Sequence, residues 1–288
     1  MDRKPRLLLQ CSIPFIADDW HVGRFSLLAA ELGRWADVTA RDLDRRSGRD
    51  DETLRGLDRS RFDEVWLLGV DGGEGLTPVE CAAVNRFAAA GGGLLTARDH
   101  ADMGLWLRSL AGVGQAHFFH DAGSCEPDPS RRVRDDRDTA AVDWPNYHSG
   151  GNGDTQAVEA VEPLHPLMRS PAAAGGRITR FPAHPHEGCV GVPAREPRAR
   201  LVARGRSTAS GRDFNLVVAF DRSEDAPGRA IAESSFHHFA DYNWDTSTGA
   251  PSFVVEPASD ATRRDPRLLD DVRQYVRNCV EWLAPPAA

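Results

Sequence analysis

Short apolar runs of strand length alternate, over the first hundred residues, with stretches whose apolar positions recur every three to four residues. Arg6 to Cys11 (RLLLQC) is such a run, and Val22, Phe25, Leu28, Leu32 and Trp35 follow it at helical spacing. Asp37 to Leu43 predicts a second strand and Arg45 to Ser60 a charged connection. Phe62 to Val70 (FDEVWLLGV) predicts a third strand that runs into Asp71-Gly72-Gly73. Thr77 as cap, Pro78 at the first helical position and Glu80 closing a capping box predict a helix, with Cys81, Val84, Phe87 and Ala88 as its stripe and Gly91 as its stop. Gly93 to Ala97 is a fourth strand, whose polar tip Arg98-Asp99-His100 precedes Asp102, expected to cap the next helix. Strands alternating with helices imply right-handed crossovers and a mostly parallel sheet with helices on both faces, an α/β fold of flavodoxin-like order.

After Leu110 the alternation fades. Gln115 to His120 predicts a short strand, and a long irregular insertion is expected around 121–176, rich in Gly, Pro, Asp and Arg at its start. A loop of that length is functional or mobile in most domains. Ile178 to Phe181, Arg200 to Arg206 and Phe214 to Phe220 predict β-rich additions in the second half, the last two paired through the turn Ser207 to Arg212. Arg229 to Glu233 predicts another strand, ending in Ser234-Ser235-Phe236-His237-His238. Asp265 and Pro266 start a final helix whose Leu268, Leu269, Val272, Val276, Cys279, Val280 and Leu283 form one apolar face. With no internal repeat and no linker, residues 1–288 are expected to form a single domain.

Composition narrows the function classes. The 41% hydrophobic content can fill a core, yet no run nears the ~18 apolar residues of a membrane span. The amino-terminal residues lack a signal-peptide pattern, so the expected location is the cytoplasm, with no membrane partner. A net charge of −8 argues against nucleic acid, and the basic runs at Arg131 to Arg137 and Arg195 to Arg206 are broken by acidic or apolar residues. Five widely spaced cysteines without a CxxC pair argue against both a disulfide framework and a cysteine-rich zinc site. A homo-oligomer stays open.

Five of the ten histidines fall in three compact polar clusters: Asp99-His100, His184-Pro185-His186-Glu187 and His237-His238. In an open α/β sheet, ligands bind at the carboxyl ends of strands, which makes Asp99 and His100 the expected centre of a site. Imidazoles beside carboxylates suit acid–base catalysis or a divalent metal. His184 and His186 alternate as on one strand face, so their nitrogens can converge on an ion, with His100 or His237 as a third ligand and Glu187 as base. In an extended chain His237 and His238 face opposite ways, so at most one reaches the site. Asp71 and Gly72 sit where backbone N–H groups can face a ligand. Arg98 is placed to clamp an anion, Asp241 and Asn243 to hydrogen-bond a substrate, and His148 to Asp154 (HSGGNGD) to form a lid. The plainer reading of each is a turn, a cap or packing.

FDEVWLLGV, TPVECAAVNRFAAAGGGLLTARDHAD, LAGVGQAHFFH and AIAESSFHHFADYNW together resemble the ThuA-like branch of the class I glutamine amidotransferase-like superfamily. The resemblance covers about the first 120 residues and the last strand and helix, leaving Asp121 to Arg212 largely unmatched. True amidotransferases place a cysteine nucleophile at the elbow after the fourth strand, and a histidine followed by a glutamate two residues on after a late strand. Here the elbow holds Asp99 and His100, and His237-His238 lack that glutamate, which argues against glutamine hydrolysis through a thioester. The resemblance implies a small polar, sugar-like metabolite as substrate, with His100 matching the branch's elbow histidine. Two functions follow as expectations: an isomerase or hydrolase using Asp99, His100, Glu187 and either His237 or His238, or a non-catalytic ligand-binding or assembly protein on the same scaffold.

Overall fold

The computed structural model describes residues 3–73, 75–121, 125–139 and 142–285. Its strands are β1 (Arg6–Pro14), β2 (Asp37–Leu43), β3 (Glu64–Leu68) and β4 (Gly93–Ala97), then β5 (Thr155–Ala157), β6 (Glu159–Ala160), β7 (Arg180–Pro182), β8 (Ala199–Arg206), β9 (Asp213–Phe220) and β10 (Ala230–Glu233). Eight form one sheet in the order β2-β1-β3-β4-β10-β9-β8-β6, and β5 pairs with β7 in a separate ribbon. The first five of that order are parallel, with the flavodoxin-like arrangement expected from the sequence; β9, β8 and β6 extend it antiparallel.

The side-chain alternation of the strands divides the core in two. Leu7 and Leu9 of β1, Trp66 of β3, Leu95 of β4 and Ile231 of β10 face α1 (Ser26–Leu32), joined there by the carboxyl-terminal helix. Leu8, Val65, Leu67, Leu94 and Ala232 face the other way, onto α2 (Glu52–Arg55) and α3 (Pro78–Ala89). Each such aliphatic side chain contributes roughly 1.5–3 kcal/mol on leaving water. The capping box of α3 forms as read: Thr77 Oγ1 accepts from Glu80 N, and Glu80 Oε2 accepts from Thr77 N at 2.8 Å. Past the helix, Gly91 takes φ +87°, a left-handed turn that glycine adopts without penalty.

Later come α4 (Asp241–Trp244), α5 (Ala261–Arg264) and α6 (Asp270–Leu283). Asp265 and Pro266 open a 3-10 turn, Pro266–Leu269, that leads into α6. β8 and β9 form the predicted hairpin. No helix among the described residues is long and apolar enough to cross a membrane.

Three local expectations are corrected. Gln115 to His120 is not a strand: Val113–Ala116 is a 3-10 turn, and His117 makes only an isolated bridge to Val190. Asp102 caps no helix, because the chain turns through Gly104 at φ +66° into the 3-10 turn Leu105–Ser109, and Asp102 Oδ1 accepts from Asp121 N instead. His148 to Asp154 is not a lid: His148, Ser149 and Asn152 are buried, because the loop packs between the segment at His184 and the carboxyl-terminal region.

Candidate functional site

β4 ends in an elbow built around a buried guanidinium. Arg98 donates from Nε to Met103 O (2.8 Å) and from Nη2 to His100 O (2.8 Å), and it also donates to Ala101 O and Phe118 O while lying 4.2 Å over the Phe119 ring. Its donors hold the loop's carbonyls in place, so it does not serve as the anion clamp anticipated from its position. Side chains alternate along the strand: Arg98 goes to the α3 side, and Asp99 goes to the other, where it is buried.

Asp99 is the hub. Its Oδ2 accepts from His100 Nδ1 at 2.8 Å and lies 3.3 Å from both His184 Nε2 and His237 Nε2; Oδ1 accepts from Ser235 Oγ at 3.2 Å. Burial alone would raise this carboxyl, but the imidazoles of His184, His100 and His237 hold it well below its usual range. His184 is pushed well below its ordinary value by burial and by the neighbouring His237, against the opposing pull of Asp99. The His184 and His237 rings stack at 3.5 Å with a 10° tilt, and each is held from behind by an asparagine: His184 Nδ1 to Asn152 Oδ1 (3.1 Å), His237 Nδ1 to Asn243 Oδ1 (3.3 Å).

Three segments far apart in sequence meet here because glycine permits it. A Cβ on Gly188 would lie 2.5 Å from Asp99 O and 2.6 Å from Ser234 O, so the chain carrying His184 and His186 crosses the tips of β4 and β10 only without a side chain at that position. His186 forms a second pair, with Nε2 3.0 Å from Glu256 Oε1. Burial would lower His186, but the bond to Glu256 and the carboxylates of Asp99, Glu256 and Asp136 raise it. Asp99, His100, His184, His186, His237 and Glu256 line one cavity of about 230 Å³, walled on its apolar side by Trp20, Met103, Val142, Phe253 and Val254.

The remaining residues singled out in the sequence lie elsewhere. Glu187 and His238 form a second buried network: His238 Nε2 is 3.2 Å from Glu187 Oε2, His238 Nδ1 is 3.4 Å from Glu233 Oε2, and Ser149 and Gln156 donate to Glu187. Burial opposes the charge on His238, but Glu187 and Glu233 carry it up to about 9. His237 and His238 do diverge, from a 3-10 turn (Phe236–His238) and not from an extended chain. Asp71 accepts from Ser12 Oγ (2.5 Å) and Trp106 Nε1 (2.7 Å), locking the loop after β3, while Gly72 is exposed. Asp241 caps α1, accepting from Ser26 N and Leu27 N. Asn243 touches the site from behind, through His237. Asn152, Glu256 and Trp20 were not anticipated as site residues; only the GGNGD run around Asn152 gave any signal. Among the described residues lining the cavity there is no cysteine. Burial raises the Cys81 and Cys189 thiols to about 12.

No family model matches this sequence, and no curated protein does. Solved structures that align with TM-scores above 0.5 share its fold. A ThuA-like protein from Parabacteroides merdae aligns over 98% of this chain and 90% of its own, at 13% identity and a TM-score of 0.52. The N-terminal domain of mmIFT52 aligns over 94% and 97%, at 13% identity and a TM-score of 0.51. The glutaminase domain of Trypanosoma brucei CTPS aligns over 94% of both chains, at 15% identity and a TM-score of 0.43.

Proposed function

We propose that this chain is an enzyme that acts on a small polyhydroxylated, sugar-like metabolite in the Asp99 cavity by acid–base chemistry, as an isomerase or hydrolase. The observation that carries the reading is the convergence of imidazoles from three separate segments on one buried carboxylate, beside a second imidazole–carboxylate pair. Imidazoles and carboxylates gathered within hydrogen-bond reach inside one cavity suit acid and base partners. His100 is the base: Asp99 orients its Nδ1–H, and its ring, 23% exposed, faces the cavity. His186, paired with Glu256, is the acid. Among the described residues, His186 Nδ1 and Glu256 Oε2 are buried without a partner, and they supply hydrogen bonds for substrate hydroxyls. Trp20 and Phe253 offer faces on which the apolar side of a sugar ring rests. The cavity volume falls below the ~300–1,000 Å³ of drug-sized sites, which favours a substrate of about one ring. Glu187 and His238 then act as positioning residues that fix the segment carrying His186.

A melting screen against monosaccharides, keto-sugars and aldonic acids tests this. A true ligand at a hundred times its Kd adds about 2.7 kcal/mol and raises Tm by roughly 5–10 °C. Turnover of the ligand found should disappear in His100→Ala and His186→Ala. Unchanged turnover in both would refute the assignment.

A second reading, a non-catalytic binding or assembly protein, is favoured by one feature. Phe15, Ile16, Phe253 and Val255 are exposed on two segments that Asp18 ties together through Ser252. Exposed apolar side chains held near one another in this way occur at interaction surfaces. Self-association lost on Phe15→Ser and Phe253→Ser, with no turnover of any sugar, would favour it.

A further inference from the structure

We infer that the same cavity is a mononuclear divalent metal centre, with Asp99, His100 and His184 as ligands and His237 stacked on His184 beside it. This deepens the proposed function, since it concerns the same cavity, but it is argued from a chain of hydrogen bonds that does not depend on any substrate. The chain starts at the carbonyl of Ala183, which only accepts. The Asn243 atom 2.7 Å from it is therefore the amide nitrogen, which also donates to Asn152 Oδ1 at 3.0 Å. Asn243 Oδ1 must then face His237, and Asn152 Oδ1 must face His184. Both oxygens accept, so both imidazoles carry their proton on Nδ1 and, when neutral, present a bare lone pair at Nε2.

The bare Nε2 atoms of His184 and His237 thus each lie 3.3 Å from the same carboxylate oxygen inside the protein, in stacked and nearly parallel rings. His184 is only 4% exposed, and among the described residues its Nε2 finds no hydrogen-bond partner. Such an arrangement is repulsive unless a proton on one ring or a metal cation sits beside Asp99 Oδ2. The spacing agrees: zinc–ligand distances of about 2.1 Å and a tetrahedral angle separate neighbouring ligand atoms by about 3.4 Å. His184 Nε2 lies 3.3 Å from Asp99 Oδ2. One donor atom each from Asp99, His100 and His184 falls within 4.8 Å of the others. Asn152 supplies for His184 what metal-bound histidines ordinarily have, an acceptor on the far ring nitrogen that fixes tautomer and orientation. A nitrogen-rich set with one carboxylate and a free position fits zinc in a catalytic arrangement.

The test begins with purified full-length protein stripped by chelator, reloaded with zinc, dialysed and analysed for metal. About one zinc per chain is expected, and cobalt in its place should give visible bands of low-coordinate geometry. Zinc titration should show binding lost in His184→Ala and weakened 10–100-fold in Asn152→Ala. Less than a tenth of an equivalent of zinc, cobalt, manganese or nickel retained by the wild type, on the order of a trace contaminant, would overturn the inference. So would zinc held as tightly by a folded His184→Ala as by the wild type. The wild-type stoichiometry decides the matter if the variants do not fold. Sugar turnover by metal-free protein would sink the metal centre and leave the acid–base reading; stoichiometric zinc with no ligand in the melting screen would do the reverse.

Discussion

The most quantitative expectation concerns a histidine outside the cavity. His165 is 2% exposed, its Nδ1 accepts from Leu167 N at 3.2 Å, and its ring meets Trp282 edge-on at 5.1 Å. Burial, then the charges of Arg200, Arg229 and Arg169, lower it to about 3. The unfolded chain takes up a proton at this residue below about pH 6.5, whereas the folded chain does so only near its lowered value, so unfolding gains protons and stability falls as pH drops through that window. The loss from this one group is close to zero at pH 8 and about 2 kcal/mol at pH 5, growing by roughly 1.4 kcal/mol per further pH unit until the folded state titrates. His165→Asn keeps an acceptor for the turn at Pro166–Met168 and removes the titration. It should cost about 1 kcal/mol at pH 8 through lost packing on Trp282, and should be the more stable protein at pH 5. Urea unfolding of both proteins at pH 8, 7, 6 and 5 measures this, and subtracting the two curves cancels the other buried histidines. A difference between the proteins that does not change with pH would refute the reasoning.

Two further expectations test the site's construction and the thiols. Gly188→Ala should destabilise the fold by about 1–3 kcal/mol and abolish ligand-induced melting shifts by displacing the Asp99 elbow. Gly72→Ala, with nothing within 4 Å of the added carbon, should change stability by less than about 0.5 kcal/mol; equal effects in the two would show that the crossing at Gly188 is not tight. Alkylation of the native protein should label Cys125 first, since Cys11, Cys81, Cys189 and Cys279 are buried. Mass mapping that finds Cys189 modified ahead of Cys125 would contradict this burial pattern.

Local pattern alone determined much of this protein. The capping box at Thr77, the stop at Gly91, the apolar face of α6 and the alternation within β1, β3 and β4 are each encoded within a dozen residues, because helix and strand periods express burial at short range. The polar tip after β4 marked Asp99 and His100 for the same reason, since a strand's carboxyl end is a place the sequence can locate. What lay beyond reach was pairing across the chain. That His184 stacks on His237, that Asn152 and Asn243 set their tautomers, that Glu256 meets His186, and that Glu187 turns away to His238 depend on contacts between residues about 30 to 70 positions apart, except for the pair Asn243 makes with His237. Those contacts follow from how the β-rich half packs onto the end of the parallel sheet. No periodicity records that packing, so only the tertiary structure decided which of ten histidines share a cavity.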